Sequence, residues 1–201
     1  MMHLPAILDS DCLYFKNNLT ESDTLLKFIE ECDADESTHG YISPWTVFNE
    51  FTVYKTFDKN TSMMSERMLQ KCLYIYNSFK SGLSFCKEHY SNYIMREAGD
   101  LEEITLFKSL PTSEFGREQI FENKYDENSV SVYLLINTEL SSSAFCLDKA
   151  KGIYINPEPG TALMIRDIVE HSQGMNKIKP LYYIKCKFTL KEEKTSKTNL
   201  L

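Results

Sequence analysis

The spacing of apolar residues changes near residue 103, and this change constrains the fold more than any other feature of the sequence. Between residues 62 and 93, apolar residues recur every three or four positions, which predicts one long helix with a single buried face. From residue 104 onward, apolar and polar residues alternate, which is typical of strands. The sequence therefore predicts an α+β protein with a mainly β core and with helical support in its first half.

The second half contains a series of short strand-like segments, separated by turns that are polar or contain Pro and Gly. Within the segment 129–137, one apolar face is formed by Val130, Val132, Leu134 and Ile136. The predicted strands are 104–110, 129–137, 143–147, 152–156, 161–166 and 181–190. Short strands at this spacing are typical of an antiparallel sandwich or barrel.

The first half carries three predicted elements. Thr20 and Asp23 have the spacing of a helix N-cap box, and the helix that follows them is predicted to end in the acidic stretch 30–36. The segment 45–57 is rich in Val, Phe, Tyr and Thr, which predicts one or two strands. In the long helix that comes next, Gly82 is expected to cost about 1 kcal/mol relative to alanine.

The chain has 201 residues, which fits a single domain with helical support in 1–100, the strands in 103–190 and a polar tail in 191–201. Its net charge of −7 argues against binding to nucleic acid or to an anionic membrane. No stretch approaches 18 apolar residues, and the first ten residues do not resemble a signal peptide, so a cytoplasmic location is expected. None of the six cysteines forms a CxxC pair, and we expect six reduced, buried thiols.

The order of these elements and two groups of short segments carry a family resemblance. Residues 154–165 read YINPEPGTALMI, and they are followed by Glu170-His171 and by LYYI at 181–184. Two earlier segments that also carry the resemblance read YFKNNLTE at 14–21 and CLYIYNS at 72–78. In this order, the segments resemble the prolyl-hydroxylase-like iron(II)- and 2-oxoglutarate-dependent oxygenases, especially the small bacteriophage members. The resemblance implies a double-stranded β-helix, a jelly-roll-like barrel packed against N-terminal helices.

The resemblance also implies where an iron site would lie. In the family, a His-x-Asp motif and a distal His hold iron(II), since two imidazoles and one carboxylate occupy one face of the metal. His171 matches the distal position, whereas Glu118 and Ile120 align with the His-x-Asp positions. None of the four histidines of this chain begins a His-x-Asp or His-x-Glu motif. His171 is therefore interpreted as a vestigial metal ligand, and Glu118 as a weak candidate.

The family's cofactor clamp is also changed in this sequence. An Arg or Lys on the last strand binds the far carboxylate of 2-oxoglutarate in the family, and Leu181 aligns with that position. Lys179, two residues earlier, is only a weak substitute. The sequence therefore predicts that iron(II) and 2-oxoglutarate are not cofactors of this chain. An alternative remains open, in which Glu118, Glu122 or Asp126 joins His171 in an atypical metal site.

These features lead to a functional hypothesis. The chain is expected to be a catalytically degenerate oxygenase-fold protein of phage origin, without catalytic residues, that acts as a binding or structural module. A protein partner is expected, such as a phage structural protein, and association with the virion would follow. One alternative is an active dioxygenase that hydroxylates a protein or peptide side chain. A second alternative is an unrelated α+β interaction domain that binds through exposed aromatic residues.

Overall fold

A computed structural model describes most of the chain. The described residues are 5–9, 11–19, 21–38, 48–52, 66–94, 96–109, 119–120, 126–138, 145–148, 153–169, 171–173, 179 and 181–191. They form two helices and eleven strands. No helix among these residues is long and apolar enough to cross a membrane.

The first half of the chain contains both helices and four of the strands. In chain order these elements are β1 (Ala6–Asp9), β2 (Cys12–Phe15), α1 (Ser22–Thr38), β3 (Phe48–Thr52), α2 (Glu66–Ile94) and β4 (Ala98–Ser109). The long helix and the strand before it lie where they are predicted. Helix α1 continues through the acidic stretch that was expected to end it, and β4 begins several residues before the predicted change of period.

The second half contains the other seven strands. They are β5 (Gln119–Ile120), β6 (Ser129–Leu135), β7 (Phe145–Asp148), β8 (Ile153–Ile155), β9 (Thr161–Arg166), β10 (Ser172–Gln173) and β11 (Leu181–Leu190). Strands β9 and β11 have the predicted bounds. The sequence did not predict β1, β2, β5 or β10, because two to four residues are too few for a pattern of alternation.

The strands form two antiparallel sheets. The large sheet has the order β1-β2-β9-β6-β11-β4-β3, and the small sheet has the order β5-β10-β7-β8. From β4 onward the chain alternates between the two sheets, except for the β7–β8 hairpin, which stays in the small sheet. The α+β class and the mainly β core are therefore confirmed.

Strand β6, at the centre of the large sheet, is buried on both faces. Val130, Val132 and Leu134 pack with the helices in one cluster. These residues belong to the apolar face that was predicted from the sequence. Tyr133 and Leu135 point to the opposite face, where Ile155 of the small sheet packs against the same cluster. All seven residues of β6 are buried. The second cluster therefore forms the interior between the two sheets, and this interior is where the candidate site lies.

Candidate functional site

His171 lies in this interior, in the connection between β9 and β10. It immediately precedes β10 and is 2% exposed. Strand β10 pairs with β5, so that Ser172 is the register partner of Ile120. The register therefore brings the backbone of one predicted ligand position, Ile120, beside the residue that follows His171. Glu118, the other predicted position, and Glu122 lie outside the described residues.

Two hydrogen bonds define the state of the His171 imidazole. Nδ1 lies 2.8 Å from the carbonyl oxygen of Val169, and a carbonyl can only accept, so Nδ1 carries the proton. Nε2 lies 2.6 Å from the hydroxyl oxygen of Tyr133. Because a neutral imidazole has its lone pair on the other nitrogen, the Tyr133 hydroxyl donates to Nε2. Both nitrogens are thus engaged by groups of the chain itself.

The surroundings keep His171 neutral. Burial is the main cause that lowers the pKa of His171 to about 4, and the nearby Lys185 ammonium acts in the same direction. The Val169 carbonyl and the Asp167 carboxylate oppose this lowering of the pKa but do not overcome it. Near neutral pH the imidazole is therefore an uncharged group that donates through one nitrogen and accepts through the other.

Tyr133 contacts His171, and this contact was not predicted from the sequence. Its side chain is fully buried, and its ring meets the His171 ring edge-on with centroids 4.9 Å apart. The Tyr183 ring lies 6.2 Å away, and the Lys185 ammonium nitrogen lies 5.6 Å from the Tyr133 ring centroid. Burial raises the pKa of Tyr133 well above its ordinary value, so its hydroxyl stays protonated as a donor. The sequence contains no local signal for this contact, because it depends on the pairing of distant segments.

The two predicted clamp positions, Leu181 and Lys179, differ in burial. Leu181 is the first residue of β11, is 1% exposed and has Ser109 of β4 as its register partner. Lys179 is exposed and precedes the first residue of β11. An apolar side chain thus occupies the position where the family's cation is expected, and the weak substitute lies on the surface.

Asp126, the remaining candidate, is engaged elsewhere. Its carboxylate accepts from the Lys187 ammonium at 3.0 Å and from the backbone N–H of Asn128 at 3.0 Å. These two donors hold the pKa of Asp126 below its ordinary value. The described contacts of Asp126 therefore form an ion pair at the start of β6 and do not include His171.

The described residues do not fit an iron(II) site of the family's type. His171 has its only lone pair engaged by Tyr133, and Leu181 offers no charge to a carboxylate. Within the described ranges, no group of three His, Cys, Asp or Glu side chains is arranged to hold a metal ion.

Comparison with known proteins gives a structural likeness without a sequence match. No protein-family model matches the chain, and no curated protein matches it in sequence. The chain is similar to a prolyl hydroxylase from Trichoplax adhaerens in complex with a hypoxia inducible factor peptide fragment. That likeness has a TM-score of 0.58 at 12% identity, over 90% of this chain and 84% of that chain.

A second likeness is to the viral collagen prolyl hydroxylase of Paramecium Bursaria Chlorella virus-1, solved as a 2-oxoglutarate complex. It has a TM-score of 0.52 at 10% identity, over 90% of this chain and 96% of that chain. The epimerase SnoN, in complex with Fe3+, alpha ketoglutarate and nogalamycin RO, matches with a TM-score of 0.54 at 9% identity. This match covers 90% of this chain and 79% of that chain.

These structures correct one prediction from the sequence and establish the fold. The prediction that no cofactor is expected is wrong, because proteins with the same fold hold iron and alpha ketoglutarate, as SnoN does. The likeness extends over about nine tenths of the chain in each comparison. The chain has the fold of the iron(II)- and 2-oxoglutarate-dependent oxygenases.

Proposed function

We propose that this chain is a catalytically degenerate oxygenase-fold protein that acts as a binding or structural module. The observation that carries the proposal is the hydrogen bond from the Tyr133 hydroxyl to Nε2 of His171, at 2.6 Å. This bond uses the one lone pair with which the imidazole would hold a metal. The buried Leu181 at the clamp position supports the same conclusion, because a carboxylate buried there would lack a charged partner.

We also propose that the two sheets form a double-stranded β-helix. Strands β4 to β11 divide into two sets of four, with the orders β4-β11-β6-β9 and β5-β10-β7-β8. In each set, the first strand in chain order lies beside the last, as expected when one hairpin is coiled into a barrel. A crystal structure with a different strand order would contradict this part of the proposal.

The partner is inferred to be a protein that binds the outer surface. The interior between the sheets is filled at Tyr133, Leu163 and Tyr183, which are at most 1% exposed. Tyr74 and Tyr93 of α2, by contrast, are 41% and 38% exposed. Large exposed aromatic side chains are enriched in protein interfaces. The phage origin and the association with a virion remain predictions from the sequence.

The experiment that tests degeneracy is an assay for turnover. The purified chain is loaded anaerobically with iron(II) and 2-oxoglutarate, exposed to oxygen, and assayed for succinate, with a prolyl hydroxylase as the positive control. We expect no succinate above the level of a chain-free control. Succinate that is formed by the wild type and lost in His171→Ala would overturn the proposal. Binding of iron or of 2-oxoglutarate without turnover would agree with it.

An active oxygenase with an atypical metal site is the second candidate. The observations that favour it are the cofactors of SnoN and the register that brings Ile120 beside the residue after His171. The same assay separates the two candidates. For the active enzyme, replacement of Glu118 or Glu122 by glutamine is expected to abolish succinate formation.

A structural role also predicts self-assembly. Mass measured by light scattering across a dilution series is expected to rise with concentration if the chain assembles with copies of itself. A constant monomer mass at all concentrations would favour a module that binds a different protein.

A further inference from the structure

In the interior between the two sheets, His171 and Tyr133 form a hydrogen-bonded pair. His171 donates through Nδ1 to the Val169 carbonyl, which is the kind of contact that orients a histidine for a metal. The orientation of the imidazole is thus that of a ligand, while its ligating nitrogen accepts from Tyr133. Among the described contacts of His171, the one that occupies its ligating nitrogen comes from the Tyr133 side chain.

The Tyr133 hydroxyl and a metal ion exclude each other at this nitrogen. A neutral imidazole has one lone pair on Nε2, and the hydroxyl proton points at it. A metal can bind His171 through Nε2 only after Tyr133 has left. The closure of the site therefore depends on how firmly Tyr133 is held.

Tyr133 is held on all sides. It lies on β6, the central strand of the large sheet, with Leu163 of β9 and Lys185 of β11 as its register partners. Its ring contacts the rings of His171 and Tyr183 and the Lys185 ammonium, and its side chain is fully buried. Moving it would break a buried hydrogen bond and open a cavity, both of which cost free energy.

We propose that Tyr133 is the residue that closes the metal position of His171, so that the imidazole serves as a structural acceptor inside the barrel. This inference rests on the proposed function and deepens it, because it names the side chain that occupies the nitrogen through which His171 would bind a metal. It also makes position 133 the place where metal affinity can be restored.

The first test detects the hydrogen bond between Tyr133 and His171 directly. Nitrogen-15 resonances of the His171 imidazole are recorded for the wild type, for Tyr133→Phe and for Tyr183→Phe as the matched control. We expect a protonated Nδ1 and an unprotonated Nε2 in the wild type. Tyr133→Phe is expected to shift Nε2 and leave Nδ1 nearly unchanged, whereas Tyr183→Phe changes neither. An Nε2 resonance that is the same in all three chains would overturn the inference. Since phenylalanine keeps the ring volume, this variant is expected to fold.

The second test measures the affinity of the wild type and of variants for Co²⁺, with no other metal or ligand added. Tyr133→His places a second imidazole opposite His171, and it is expected to bind Co²⁺ at least about tenfold more tightly than the wild type. The matched control Tyr183→His and the double variant Tyr133→His/His171→Ala are expected to bind no better than the wild type. Paramagnetic shifts of the His171 resonances in the wild type, at the concentrations that saturate Tyr133→His, would overturn the inference.

The two proposals fail in different ways. Succinate formation by the wild type would overturn the proposed function. Wild-type Co²⁺ binding at His171 without succinate formation would overturn only the closure by Tyr133.

Discussion

At the scale of single residues, the buried His171 couples stability to pH. Its pKa is lowered to about 4 in the folded chain, mainly by burial, while an unfolded histidine has a pKa of about 6.5. Between these values the unfolded chain binds a proton that the folded chain does not. Stability is therefore complete above the unfolded pKa and falls as the pH decreases towards 4, with a total loss of roughly 3 kcal/mol.

The measurement is the free energy of unfolding in urea at pH 7 and at pH 5. The wild type is expected to lose about 2 kcal/mol more than His171→Gln between these two values, because the glutamine does not titrate. His89→Gln is the control, since His89 lies on α2 and not between the two sheets. Equal losses in the wild type and in His171→Gln would show that another group carries the pH dependence.

Gly160 is a second residue whose identity is required by its surroundings. Its φ angle is +80°, and a Cβ at this position would lie 2.5 Å from the carbonyl oxygen of Leu19. Gly160→Ala is expected to destabilise the chain by about 2 kcal/mol or more, from the left-handed backbone and the close contact together. Urea unfolding measures this loss, with the exposed Glu158→Ala of the same turn as control. A loss below about 0.5 kcal/mol would contradict the role of Gly160.

At the scale of elements, α2 is attached to the segment after β2 through Asn18. The Asn18 side-chain nitrogen donates to the carbonyl oxygen of Gly82 at 3.0 Å and to the sulfur of Cys86 at 3.2 Å. A Cβ at Gly82 would lie 2.5 Å from the backbone oxygen of Asn18 and would also meet its side-chain oxygen. The glycine that weakens the helix by propensity therefore permits the helix to approach this segment.

Gly82→Ala measures which of these two effects is larger. Helix propensity alone predicts a gain of about 1 kcal/mol, whereas overpacking against the Asn18 backbone costs about 1–3 kcal/mol. Because both neighbouring oxygens are buried and one is backbone, we expect a net loss in the free energy of unfolding. Ser81→Ala, at the exposed neighbouring position, is the matched control and is expected to be neutral or slightly stabilising. A net gain for Gly82→Ala would show that the two segments separate without cost.

The elements that the sequence predicts are those with enough residues to show a period. Helix α2 and strands β9 and β11 are of this kind, whereas β5 and β10 have two residues each and exist only through their pairing. The valine face of β6 was predicted, whereas no prediction was made for its other face, which carries Ser131, Tyr133 and Leu135. That face is buried because the small sheet covers it, and such a long-range contact has no local pattern.

The same limit applies to the candidate site. His171 was selected as a candidate because it matches the position of the family's distal histidine. Its burial and its hydrogen-bond partners were seen only in the structure. Tyr133 is 38 residues away from it in the sequence. The contact forms because β6 pairs with β9. After β9, the chain turns at Asp167 and Val169 and brings His171 into the interior between the sheets. Nothing in the spacing of the residues around position 133 indicates this contact.

At the scale of the whole molecule, three buried cysteines lie in different parts of the fold. Cys12 lies on β2, Cys86 on α2 and Cys186 on β11, and all three are reduced thiols outside any disulfide and at most 2% exposed. Their burial agrees with the prediction of reduced, buried thiols, while the side chains of the other three cysteines lie outside the described part of the chain. Burial raises the pKa of Cys86 and of Cys186 well above the ordinary value. Because the thiolate is the reactive form, these groups are expected to react only after the chain opens.

Thiol labelling therefore tests whether α2 and the large sheet unfold as one unit. A pulse of alkylating reagent is applied at increasing urea, and each cysteine-containing peptide is quantified by mass spectrometry. If α2 and the large sheet form one cooperative unit, Cys12, Cys86 and Cys186 are labelled along the same urea curve. Asn92→Cys, at an exposed position on α2, is the control and is expected to react fully without urea. Labelling of Cys86 at lower urea than Cys186 would show that α2 separates from the large sheet first, and the chain would then consist of two units.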